Sequence, residues 1–229
     1  MIRAAVLLLT LFAVPAAAAE KRFAVGSFDR VRVNGPFEVT YATGSPNARV
    51  SGDARVIDRV DVRVDGTTLT IRGNRQGGDE RPVAVRSEPV IVTLSSPSLA
   101  SASVFAGGRL SATRVRGTRV DLTISGAGVI AVADATADLV NATVIGTGTV
   151  TLAGRAAKAR YVMNGAGRID AGKLEAGDVS VLLDGPGEIA AMARYDAQVT
   201  NTGLGSVSIS GTPKCTVRAR AGGPVACGR

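Results

Sequence analysis

Ala106-Gly107-Gly108-Arg109-Leu110, Gly126-Ala127-Gly128-Val129-Ile130 and Gly146-Thr147-Gly148-Thr149-Val150 carry one pattern: a small residue, any residue, glycine, any residue, then an aliphatic. Gly165-Ala166-Gly167-Arg168-Ile169, Gly185-Pro186-Gly187-Glu188-Ile189 and Gly203-Leu204-Gly205-Ser206-Val207 continue it. The second glycine falls at 108, 128, 148, 167, 187 and 205, in steps of 20, 20, 19, 20 and 18 residues. A fixed period of this size marks a solenoid, in which each repeat buries its apolar face only against its neighbours. Helical repeats need about 33 residues or more, and the leucine-rich type needs its own leucine and asparagine spacing. Neither is present.

Within each unit the apolar residues alternate, as in Val120, Leu122 and Ile124, or Val179, Val181 and Leu183. Period two over short runs is strand. Short strands broken by Gly, Asn and Asp and repeating about every 20 residues predict an all-β chain coiled as a parallel β-helix. The glycines then sit at corners, where they take positive φ without a Cβ penalty and leave room for close stacking. Leu110, Ile130, Val150, Ile169, Ile189 and Val207 should form one internal column. At one strand spacing per layer it would be about 29 Å long.

Outward from this section the text changes. Met1-Ile2-Arg3, the apolar run from Ala4 to Val14 and Ala17-Ala18-Ala19 before Glu20 read as a signal peptide, cleaved between Ala19 and Glu20. No cysteine follows the apolar core, so lipoprotein processing is not expected. The remainder reads as a single domain over 20–229 with no transmembrane segment. In it, 20–80 is an N-terminal antiparallel β cap with a hairpin, 81–212 are the rungs, and 213–229 is a disulfide-closed C-terminal cap. Asp65-Gly66 between alternating runs is the hairpin turn. Val56 to Val60 is at most one helical turn, Asn74 to Glu80 is a polar loop, and strand text resumes at Val83 and Val85. Asn34-Gly35-Pro36-Phe37-Glu38-Val39 echoes Asp184-Gly185-Pro186-Gly187-Glu188-Ile189 and suggests an additional corner. Phe23, Phe28, Phe37, Phe105 and Tyr41 all precede the strict repeats, as a bulkier capping layer would require. Cys215 and Cys227, 12 apart in an exported chain, are expected to form a disulfide.

The chemistry the sequence excludes is as informative. Net charge is +8, and +7 once Arg3 leaves with the signal peptide. Aromatic content is 3%, there is no Trp, and no nucleic-acid-binding motif accompanies the scattered arginines, so no nucleic acid is expected as a partner. Gly126-Ala127-Gly128-Val129-Ile130-Ala131 matches a dinucleotide fingerprint, but that motif requires a following helix, and strand text follows here. No cofactor is expected. The residue after each second glycine is Arg109, Val129, Thr149, Arg168, Glu188 or Ser206, which is no carboxylate ladder, so no metal site is expected. With no histidine, a nucleophilic triad lacks its base. Asp170, Glu175, Asp178, Asp184 and Glu188 are numerous enough for a polysaccharide-acting β-helix enzyme, yet each occupies an ordinary turn or surface position. No catalytic residue is assigned. Arg168 and Glu188 should face outward one strand spacing apart, as an exposed ion pair or as part of a shallow polar groove.

These residues resemble a known family. Phe28-Asp29-x-Val31-x-Val33-Asn34-Gly35, the Asp65-Gly66 hairpin ending in Leu69-Thr70-Ile71, the Gly-x-Gly corners and the segment from Cys215 to Cys227 resemble the bacterial auto-transporter adhesin head GIN domain. The resemblance spans roughly residues 28–212. It implies an exported protein with a right-handed β-helix fold, and the family offers no established catalytic residues to carry over. No autotransporter barrel is expected, because Val225 to Arg229 lacks long amphipathic strands. Together these readings predict a non-enzymatic module of the bacterial periplasm or cell surface, adhesin-like, with an envelope polysaccharide or another envelope protein as partner. The alternatives are a polysaccharide-acting enzyme and a purely structural periplasmic module.

Overall fold

The structure, a computed structural model, describes residues 19–73, 89–220 and 222–228. The expected loop from Asn74 to Glu80, the strand text at Val83 and Val85, and residues 1–18 lie outside them. Strands dominate, and the 17 among the described residues belong to one continuous hydrogen-bonded sheet that coils on itself. The alternation seen in the sequence becomes alternation of burial: in Val115–Gly126 the residues Val120, Leu122 and Ile124 are buried, while Asp121 and Thr123 turn outward.

Each rung runs along one face, turns at the glycine corner, crosses a second face and bends back. Ser101–Phe105 pairs in parallel with residues 121–125, which pair with 141–145, and so on around each coil. After the corner, Leu110 registers with Ile130, Ile130 with Val150, Val150 with Ile169, Ile169 with Ile189, and Ile189 with Val207. None is more than 2% exposed, so the predicted internal column exists. It also extends further, through Val39 and Val92 on one side and Val225 on the other. On the other face the inner column alternates small and large, Ala102, Leu122, Ala142, Tyr161, Val181, so that each bulky side chain is seated over a small one.

The two corner glycines have separate jobs. The first adopts positive φ, 104° at Gly126, 113° at Gly146, 125° at Gly165 and 118° at Gly185. The second is required by proximity. A Cβ on Gly167 would lie 2.5 Å from the Gly148 carbonyl oxygen and 2.8 Å from Val144 Cγ1. The corners stack this closely because they are hydrogen-bonded to one another. Val129 N–H donates to the Gly108 carbonyl, Thr149 to Gly128, Arg168 to Gly148, Glu188 to Gly167 and Ser206 to Gly187, at 2.9–3.0 Å.

The antiparallel layer at the N-terminus is present. Ala19–Phe23 lies on Asn47–Gly52, which lies on Ile91–Ser96, and Val60–Asp65 forms the hairpin with Thr68–Gly73 around Gly66. The helical turn is Ala54–Ile57, capped by Asp53, whose carboxylate accepts the Arg55 N–H at 2.8 Å, and it buries Ile57. The layer is narrower than the 20–80 span expected of it. Arg30–Asn34 pairs in parallel with Ser101–Phe105, and Glu38–Thr43 in parallel with Arg109–Ala112, so these two strands are a rung of the solenoid. The reason is Gly35: at φ 129° it makes the same corner as the later repeats. Thr68–Gly73 and Ile91–Ser96 add a further parallel layer outside it. Phe37 stands where the repeats have their second glycine, and it is buried at the end of the corner column.

The C-terminal segment also differs from a separate cap. Lys214–Ala219 and Val225–Cys227 stack in parallel register on the preceding rung. Cys215 and Cys227 are joined across this last rung, with Cα atoms 6.3 Å apart. Its outer edge has no strand beyond it among the described residues, and Val217, on an inner column elsewhere buried, is 43% exposed.

Gly167→Ala is expected to lower stability by about 1–3 kcal/mol through overpacking, with the fold retained, read as a fall in the midpoint of thermal unfolding by circular dichroism. Replacing Cys215 and Cys227 together by serine should cost on the order of 2–3 kcal/mol, and reductant should reproduce that loss in the parent and leave the double variant unmoved.

Candidate functional site

The outward residues form straight ladders, because strand register fixes each one about 4.8 Å from its counterpart on the next rung. The ladder just past the corner contains Arg168 and Glu188 in register. Arg168 Nη1 donates to Glu188 Oε1 at 3.1 Å, and its second nitrogen contacts the other carboxylate oxygen. Both side chains are exposed, so this two-point pair contributes under about 1 kcal/mol. It lines none of the cavities described next. Of the two readings of this ladder, the ion pair is the one present.

A separate, more apolar cavity of about 440 Å³ lies by Phe37 and Val60, and a concave surface lies on the other face, where the chain bends back into the strand that precedes the corner. Two shallow cavities of about 540 and 330 Å³ adjoin there and share Leu139 and Arg160. Their walls are two ladders two residues apart in sequence, one running Arg119, Leu139, Lys158, Asp178, Asp196 and the other Asp121, Asn141, Arg160, Ser180, Gln198. Strand geometry sends residues i and i+2 to the same side, which is why both ladders face the groove. Val162 adds an apolar patch beside them.

At its N-terminal end the groove is internally neutralised. Arg119 Nε donates to Asp121 at 2.8 Å, and Asn141 Nδ2 donates to the same carboxylate at 2.7 Å. Partial burial pushes the Asp121 carboxyl upward, but these hydrogen bonds with the charges of Arg119 and Arg30 outweigh it and hold the carboxyl below its usual range. Further along, the groove is not neutralised. Among the described residues, Lys158, Arg160, Asp178 and Asp196 form no ion pair within 4.0 Å.

The sequence-predicted carboxylates mostly stay apart. Asp170 accepts the Gly172 N–H at 3.4 Å as a turn former, Glu175 pairs with Arg155 at 3.5 Å, Asp184 accepts from Asn164 at 3.4 Å, and Glu188 holds Arg168. Asp178 is the exception: it lines the groove, in register with Lys158 on one side and Asp196 on the other, in the cavity that Arg160 also lines. Sequence reasoning missed Asp196, Arg160 and Lys158 as a group. The signal is at least one charged or amide residue at i or i+2 in each successive rung, visible only once the rungs are aligned. Alignment was hidden by register shifts in the bend, as between Val132 and Ala135. No group of three or more potential metal ligands converges among the described residues.

A family model described as "Putative auto-transporter adhesin, head GIN domain" matches residues 27–213. Among solved structures, the chain is similar to a putative adhesin from Bacteroides fragilis NCTC 9343, with TM-score 0.84 and 20% identity, over 93% of this chain and 98% of that one. It is similar to a putative lipid binding protein from Parabacteroides distasonis ATCC 8503, with TM-score 0.72 and 17% identity, over 93% and 95%. A putative adhesin from the same organism gives TM-score 0.69 and 20% identity, over 92% and 97%. At these identities the likeness speaks for the fold alone. No curated protein matches the chain.

Because the folded Asp121 carboxyl titrates lower than the unfolded one, it stabilises the fold above the unfolded value of about 4 and loses that contribution as pH falls. Asp121→Asn should therefore flatten the acid limb of a stability-versus-pH curve below about pH 4, by less than about 1 kcal/mol given its exposure, as read from urea midpoints.

Proposed function

The chain belongs to the auto-transporter adhesin head GIN domain family, and from that premise we propose that it is an exported, non-enzymatic cell-envelope module. It binds an envelope polysaccharide or another envelope protein through its stacked outer faces. The observation that carries this reading is the groove: a shallow, open strip of in-register polar, charged and apolar side chains, built on rigid strands. A surface of that kind suits an extended partner laid along the solenoid axis, which meets the same spacing on every rung. The leader ending at Ala19 supports export to the periplasm or cell surface, and the Cys215–Cys227 disulfide suits an oxidising compartment. No described helix is long and apolar enough to cross a membrane.

One observation favours a second reading, a polysaccharide-acting enzyme: Asp178 and Asp196 stand side by side with Arg160 near them. Glycoside cleavage needs a carboxyl held protonated by an apolar, water-poor setting. Asp196 is exposed on an open strand, which is the wrong setting for that acid.

Purified mature chain applied to an array of bacterial envelope glycans, with crosslinking to envelope extracts in parallel, tests the proposal. The expected result is retention of a defined class of glycan or protein, with no new reducing ends released from any polysaccharide. Release of reducing ends would establish the enzyme, and retention of nothing in either format would leave the structural-module reading standing.

A further inference from the structure

Several charges on this solenoid are cancelled between adjacent rungs, and those that line the groove beyond Asp121 are not. Outside the groove, unlike charges on adjacent rungs close into pairs at Arg114 and Asp134, Arg155 and Glu175, and Arg168 and Glu188, while Glu38 and Arg109, also in register, do not. In the groove one ladder runs Lys158, Asp178, Asp196 and, on the last rung, Lys214, so unlike charges again stand in register, yet none of the four closes an ion pair among the described residues. Lys158 and Arg160 present two cations from one strand, and the register neighbours of Arg160 are Asn141 and Ser180, neither of them a carboxylate. On the following rungs Asp178 and Asp196 lie directly in register, like against like. Adjacent like charges in a ladder destabilise the sheet. Here they coincide with a cavity, so that a positive site and a negative site share one floor with Leu139 and Gln198.

We propose that this groove binds a zwitterion: a phosphate ester carrying a primary ammonium on a two-carbon linker, borne on an envelope saccharide. Lys158 and Arg160 together match the charge and the several acceptor oxygens of a phosphate, which a single cation would not. The linker places the ammonium roughly one strand spacing, about 5 Å, from the phosphate, which is the step from the Lys158 rung to the Asp178 rung. There the ammonium lies between two carboxylates and removes their mutual repulsion. A purely acidic polymer would meet Asp178 and Asp196 as repulsion, and a purely cationic one would meet Lys158 and Arg160 in the same way. Leu139 and Val162 offer apolar contact for the sugar on either side. The proposal rests on the envelope-binding reading and specifies its ligand chemistry.

The test is titration of the mature chain with ethanolamine phosphate, followed by NMR or calorimetry, with ethanolamine and inorganic phosphate as half-ligands. The zwitterion should bind at least about tenfold more tightly than either half, and Arg160→Gln and Asp196→Asn should each weaken it about tenfold. Arg168→Gln, on the neighbouring face, should leave it unchanged. Binding should weaken with added salt. A saccharide bearing ethanolamine phosphate should be retained in preference to vesicles of phosphatidylethanolamine in phosphatidylcholine; the reverse preference would overturn the saccharide as source. Phosphate binding as tightly as the zwitterion, or both groove variants binding like the parent, would overturn the proposal. If the glycan array yields a ligand that Arg160→Gln still binds normally, this inference falls while the envelope-binding reading survives. If the parent retains neither the zwitterion nor anything on the array, both fall together.

Discussion

The structure depends on one contact: the amide after each corner donating to the carbonyl of the second glycine on the previous rung, at 2.9–3.0 Å. It cannot form unless the chain passes within van der Waals distance of its own corner one turn earlier. A Cβ on the second glycine would intrude on that passage, as it would at Gly167 against the Gly148 carbonyl. Stacking corners fixes the register of the strands on both sides of them. Register in turn puts aliphatic residues over aliphatic ones inside and lines up the outer side chains in ladders. The core, the outer face and the groove are all consequences of that one approach distance.

This is also why the fold was so legible. A constraint that recurs at Gly128, Gly148, Gly167, Gly187 and Gly205 leaves a periodic mark, and the inward Leu110 to Val207 column follows from it. The constraint relaxes at the N-terminal end, and there the sequence misleads. Phe37 occupies the second-glycine position at the end of the corner column, so the rung formed by Arg30–Asn34 and Glu38–Thr43 lacks half of the signature. Only Gly35, which still needs positive φ, betrays it. The last rung keeps the whole signature, Ala221-Gly222-Gly223-Pro224-Val225, 18 residues after the one before, and a Cβ on Gly223 would clash with the Gly205 carbonyl oxygen; the cysteine pair makes it read as a cap instead. The groove was harder still. Turn residues tolerate a missing position in the bend, and one residue gained or lost there displaces every outward partner in a linear reading.

The same geometry governs what the outer surface can recognise. On a globular protein, a site is assembled from distant segments and held by their packing. On a solenoid, the ladder spacing comes from the backbone and only the occupants vary. The chain therefore has two ways to treat a charge: cancel it against the next rung, as Arg168 does with Glu188, or leave it for something outside. Cancelled pairs contribute little to stability because both ends stay wet. Their larger effect is on specificity, since they remove from the surface the sites that would attract any counter-charged polymer.

Seen this way, the uncancelled charges of Lys158, Arg160, Asp178 and Asp196 carry information that the net charge does not. A chain at +8 would be expected to collect polyanions indiscriminately. Yet in the groove Asp178 stands one strand spacing from Lys158 and Asp196 two, and an anionic chain laid along the axis cannot satisfy the cations without meeting the carboxylates. Discrimination then comes from the repulsive half of the groove as much as from the attractive half. The ladder sets the distance over which both must be satisfied, so the ligand's own charge separation becomes the quantity that is read.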